Sequence, residues 1–195
     1  MKKPSHNING LTAAAVTLLT VLTVLVSCRP SSPTYRNAMP KEYTQAYEEV
    51  FGHCYDSVPF AVVALDLYSE GLTLNEEHKI EGTGYNLYLS DIFVPDSLLV
   101  EGEYRSIHPD SLSSVNYQLS AFSFLPGRDF EGMPHGMYLL DIQESNISRI
   151  QVLDSGSFVY RNDSLLFTLY YRNTYGTSST YNCSFHGALI PWVKQ

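Results

Sequence analysis

From Val58 onward apolar and polar residues alternate with a period of two, the spacing that sends successive side chains to opposite faces of a strand. Ala61, Val63, Leu65 and Leu67 fall on one face, and Tyr85, Leu87 and Leu89 repeat the pattern after the Gly82-Thr83-Gly84 turn signal. The same period predicts strands over 116–124, 137–143, 148–153, 157–161, 165–172 and 177–189. Turn residues separate them: Glu144-Ser145-Asn146, Asp154-Ser155-Gly156, Arg161-Asn162-Asp163-Ser164 and Asn173-Thr174-Tyr175-Gly176. The last three strands read as a meander, and the irregular stretch 95–114 reads as an edge excursion. Little helical pattern lies between strands, so crossover βαβ units are not expected. The predicted fold class is all-β, an antiparallel β-sandwich, with a lipocalin-like β-barrel as the alternative.

Upstream the pattern changes. Pro40 suits a first helical position, and Tyr43, Tyr47, Val50 and Phe51 follow at spacings of three and four. One short helix is therefore expected near 40–51, at the start of a single β-rich domain over 40–195. Residues 28–39 are rich in Pro and Ser and read as a flexible tether. Before them, 11–26 is an uncharged run of Leu, Val, Ala and Thr behind Lys2 and Lys3. As a helix it would span about 24 Å, short of a bilayer core of about 30 Å, which suits a secretory leader.

That run closes on Leu25-Val26-Ser27-Cys28, which resembles the lipobox of bacterial lipoproteins. The resemblance implies a signal peptide over 1–27, cleavage before Cys28, diacylglycerol on its sulfur and an acyl chain such as palmitate on its amine. Three acyl chains make a durable membrane anchor. Arg29 stands where an Asp would signal inner-membrane retention, which leans towards the outer membrane. No acidic cluster follows Cys28, which leans towards the periplasmic side, with surface exposure as the alternative. Downstream, Asp66-Leu67-Tyr68-Ser69, Gly82-Thr83-Gly84-Tyr85-Asn86-Leu87-Tyr88, Phe124-Leu125-Pro126-Gly127, Gly156-Ser157-Phe158-Val159 and Phe185-His186-Gly187-Ala188-Leu189 resemble small β-rich lipoproteins of Bacteroidota. These are strand-and-turn motifs and carry over no catalytic residue.

Composition narrows the partners. Asp and Glu number 20 against 12 Lys and Arg, for a formal charge of −8. Such a chain lacks the basic patch on which nucleic-acid binding rests. Tyr numbers 15, and its flat amphipathic ring can stack on a sugar while the hydroxyl hydrogen-bonds. Tyr68, Tyr85, Tyr88, Tyr170, Tyr171, Tyr175 and Trp192 are the candidates for such stacking.

The remaining chemistry is sparse. Cys54 and Cys183 are candidates for a disulfide in an oxidising compartment, where closing so long a loop would contribute about 4–5 kcal/mol. Cys183 shares a strand face with Tyr181, Phe185 and Leu189, towards the core. A zinc set from His53, Cys54, Cys183 and His186 is not expected, because strand residues three apart face opposite ways. Neither a zincin His pair, a nucleophile elbow nor a phosphate-binding loop is present in the sequence. Asp-Ser-aliphatic triplets place Ser57, Ser97, Ser111 and Ser164 in a pattern similar to the O-glycosylation site of exported Bacteroidota proteins. The same triplets are also ordinary turn chemistry. The expected function is a non-catalytic binding or structural role at the cell envelope, with a glycan or an envelope protein as partner and no cofactor. The alternatives are a barrel carrying a small apolar ligand, and a hydrolase in which His108 or His135 meets Asp110 or Asp129.

Overall fold

A computed structural model describes residues 38–53, 59–107, 120–131, 133–173 and 175–192. The leader, Cys28, nearly all of the tether, Cys54, Ser57, His108, Asp110 and Ser111 lie outside the described residues. What is described is all-β and includes no helix. The first half contains β1 (Glu42–Tyr43), β2 (Gln45–Gly52), β3 (Ala61–Tyr68), β4 (Leu72–Leu74), β5 (Ile80–Gly82), β6 (Gly84–Val94) and β7 (Gly102–Ser106). Then come β8 (Ser123–Phe124), β9 (Arg128–Phe130), β10 (Met133–His135), β11 (Met137–Gln143) and β12 (Asn146–Val152). The chain closes with β13 (Ser155–Arg161), β14 (Ser164–Arg172), β15 (Ser178–His186) and β16 (Ile190–Pro191).

Twelve of these strands form one strongly curled sheet, ordered β1-β15-β14-β13-β7-β8-β6-β3-β2-β16, with β11 on β6 and β12 on β11. The hairpins β4–β5 and β9–β10 stand apart from it. The expected meander β13–β14–β15 is present. Two-residue turns set the register of β13–β14 and of β11–β12. Asn162 and Asp163 in one, and Glu144 and Ser145 in the other, all have positive φ, the geometry whose twist matches that of paired strands.

Three expectations are corrected. The helix near 40–51 is instead β1 and β2. Tyr, Val and Phe suit strands at least as well as helices, and here extended backbone finds partners on both sides. Glu42–Tyr43 runs parallel to Ser184–Phe185, and Tyr47–Glu48 runs parallel to Ile190–Pro191. On its other side the same segment pairs antiparallel with β3. The sheet is therefore mixed rather than antiparallel, with β7–β8 as a third parallel pair. The stretch 95–114 is also not an edge excursion throughout, because its β7 lies inside the sheet between β13 and β8. Its Tyr104 is fully buried.

The concave side holds the main core. Leu65 and Leu67 of β3, Leu87 and Leu89 of β6, and Leu165, Phe167 and Leu169 of β14 all point there. Tyr104 stacks on Phe158 at 4.6 Å, and Phe158 in turn meets Phe124 at 5.5 Å and Phe167 at 5.4 Å. Around Gly127 the backbone is packed so closely that a side chain has no room. Its N–H donates to the Leu153 carbonyl at 2.8 Å, and an added Cβ would lie 2.1 Å from the Met137 carbonyl oxygen. Gly127→Ala is expected to lower stability by roughly 1–3 kcal/mol, the range for overpacking. Chemical denaturation checks this, and an unchanged midpoint would contradict the packing described.

Candidate functional site

Register alone assembles a site on the convex face. Tyr47 pairs with Asp66, Asp66 with Tyr88, and Tyr88 with Tyr138, so one lateral row crosses β2, β3, β6 and β11. The next row on the same face is Gln45, Tyr68, Asn86 and Leu140. Their facing is set by the period of two, since Leu65, Leu67, Leu87 and Leu139 between them point into the core. Tyr88 and Tyr138 lie 5.0 Å apart by ring centroid, tilted by 32°. At the other end Tyr47 meets Trp192 edge-on at 5.6 Å, and Trp192 meets His78 at 4.8 Å. Tyr47, Asp66, Tyr88, Tyr138 and Trp192 are all partly exposed.

Asp66 sits at the middle of the row and is held by its neighbours. The Tyr68 hydroxyl donates to Oδ2 at 2.5 Å, and the Asn86 amide donates to Oδ1 and, at 3.1 Å, to the Leu67 carbonyl. Burial raises the Asp66 pKa above the ordinary carboxyl value, the two donors oppose that rise, and the Glu49 carboxylate adds to it. Burial likewise raises the Tyr88 hydroxyl, helped by Tyr138, Glu49 and Asp66. These groups form a carboxylate flanked by aromatic rings, with an amide beside it.

A groove of about 730 Å³ lies between the β4–β5 hairpin and the β11–β12 turn, and its walls include Lys79, Ile80, Glu81, Ile142 and Ile147. Ile80 and Ile142 of its wall belong to the same apolar cluster as Tyr47, Tyr68 and Tyr138, which ties the groove to the row through packed side chains.

The predicted stacking residues divide. Tyr88 and Trp192 are at the row. Tyr68 is only 1 % exposed, so it positions Asp66 rather than offering a ring face. Tyr85 points into the core, and Tyr171 packs against it. Tyr170 and Tyr175 are exposed on and beyond β14, Tyr175 by 90 %, away from the row. Tyr47 and Tyr138 were not among the candidates, nor was Asp66. A lone Asp in the apolar run Ala61–Tyr68 was the legible signal for the last of these.

Other candidates stand elsewhere. Cys183 carries a free thiol inside the core, its pKa pushed up to about 12 by burial; its expected partner Cys54 lies outside the described residues. His186 is exposed on the opposite face of β15, where its Nδ1 meets the Ser164 hydroxyl at 3.0 Å. Ser97 is exposed and its hydroxyl bonds Asp96. Asp129 and His135 lie on the β9–β10 hairpin. A buried carboxylate, Glu48, accepts the Leu99 N–H at 2.5 Å on the core side and tethers the 95–101 loop. Compared with protein-family models, curated proteins and solved structures, the chain matches none.

The raised Asp66 pKa has a definite sign in stability. The folded chain holds that proton more tightly than the unfolded chain. Asp66 therefore favours folding most at low pH, and this contribution is lost as pH rises through the folded value. Asp66→Asn is expected to gain melting temperature relative to the unmodified protein as pH rises from about 3 to about 7. Thermal melts across that range check the trend, and a constant or falling difference would contradict it.

Proposed function

We propose that this chain is a lipid-anchored protein of the bacterial cell envelope that binds a carbohydrate on the convex face of its β-domain, without catalysis. The observation that carries the binding reading is the Tyr47–Asp66–Tyr88–Tyr138 row. Aromatic rings beside a carboxylate suit a sugar, which has apolar ring faces and a hydroxyl rim. The groove beside the β4–β5 hairpin, tied to the row through one apolar cluster, gives an oligosaccharide further room. The Leu25-Val26-Ser27-Cys28 motif supports the anchor.

We further propose that the sheet is a closed barrel rather than a sandwich. The support is that residues 42–48 pair with 184–191 on one side while β2 pairs with β3 on the other, which joins the two ends of the strand order. Tyr104, Phe124, Phe158 and Phe167 occupy the interior, which favours the convex face over an internal apolar-ligand site.

Calorimetric titration against neutral oligosaccharides is expected to give saturable binding, weakened at least tenfold by Tyr88→Ala or Tyr138→Ala and unchanged by Tyr175→Ala. Absence of binding to every sugar, or equal sensitivity to Tyr175→Ala, would overturn the reading. In a bacterial host, Cys28→Ser is expected to abolish incorporation of labelled palmitate. Retained label would overturn the anchor.

A further inference from the structure

The convex row has a sign as well as a shape. None of the eight residues in its two register rows is Lys or Arg, and two carboxylates act on it. Asp66 lies within it, and the Glu49 carboxylate is close enough to raise both Asp66 and Tyr88. Among the described residues no basic side chain forms an ion pair with Asp66. Lys79, on the groove wall, is engaged with Glu77 at 2.6 Å. Tyr faces are the negative ends of ring quadrupoles and attract a cation within about 6 Å of their centroids. Tyr47 and Tyr88 flank Asp66 on opposite sides, and Tyr138 stands next to Tyr88 at 5.0 Å.

We propose that the Tyr47–Asp66–Tyr88–Tyr138 row selects a ligand carrying an organic cation, a protonated amine or a quaternary ammonium, and seats that cation on Asp66 between the tyrosine rings. The inference rests on the convex face being the carbohydrate site and names the class of sugar it takes: an amino sugar with a free amine. Neutral sugars can use the rings, but they bring no counter-charge to Asp66 in its partly desolvated place. Acidic sugars meet two like charges, which is a cost of the same kind that makes specificity.

The chain's single Trp is Trp192, 5.6 Å from Tyr47, so its fluorescence reports on the row directly. Three probes separate the possibilities at physiological salt: a glucosamine tetramer, the same tetramer fully N-acetylated, and tetramethylammonium. The amine tetramer is expected to bind at least tenfold tighter than its acetylated counterpart, and tetramethylammonium is expected to saturate the same signal and compete. Asp66→Asn should reduce the preference to within about twofold while its thermal melt shows it folded. Glu103→Gln, a surface carboxylate on β7, should leave the preference unchanged. Equal or tighter binding of the acetylated tetramer would overturn the cation inference while leaving the carbohydrate reading standing. Tetramethylammonium binding with neither tetramer bound would support the cation seat and overturn the sugar reading. No response to any probe would overturn the inference, as would a preference lost equally in Glu103→Gln.

Discussion

The segment 42–52 is the constraint on which the rest of the structure depends. Its backbone groups serve two neighbours: 184–191 runs parallel along one side, and β3 runs antiparallel along the other. Thr44 marks the passage between them, with its N–H on the Tyr68 carbonyl at 2.9 Å. A buried polar contact fixes the start of the segment. The Tyr43 hydroxyl meets the Tyr181 hydroxyl at 2.8 Å, and Tyr181 donates to the Pro40 carbonyl at 2.7 Å. Burial raises both hydroxyl pKa values, so both rings stay neutral hydrogen-bonding groups. A polar pair that is satisfied inside a core specifies one register where apolar contacts would tolerate several.

From that segment the two faces of the sheet follow. The concave side fills with aliphatic side chains and an aromatic stack, and Glu48 is drawn in to hold the loop carrying Leu99. On the convex side β2, β3, β6 and β11 lie next to one another, and only this adjacency brings Tyr47, Asp66, Tyr88 and Tyr138 into line. A slip of one residue in β2 would turn Tyr47 towards the core and Glu48 towards solvent, dissolving the row. The proposed binding row and the proposed closure of the sheet therefore share one register.

Much of the fold was legible in the sequence, for a local reason. The hairpin turns of β11–β12 and β13–β14 announce themselves through Glu144-Ser145 and Asn162-Asp163. What escaped is what only tertiary pairing decides. Tyr43, Tyr47, Val50 and Phe51 fit a helical stripe as well as a strand, and the distant partner that settles them lies some 140 residues away. The three parallel pairs have no local signature at all. The site suffered the same limit: Tyr88 and Trp192 were visible as aromatics, whereas Tyr47 and Tyr138 matter only through strand adjacency. Tyr68 and Tyr85 differ from Tyr88 in surroundings that composition does not record.

Hydrogen exchange over residues 42–48 tests the central claim most directly. Two-sided pairing predicts amide protection there comparable with that of the central strands β3 and β6, rising and falling with global stability. Exchange of these amides at the rate of an exposed edge, while β3 and β6 stay protected, would contradict the account.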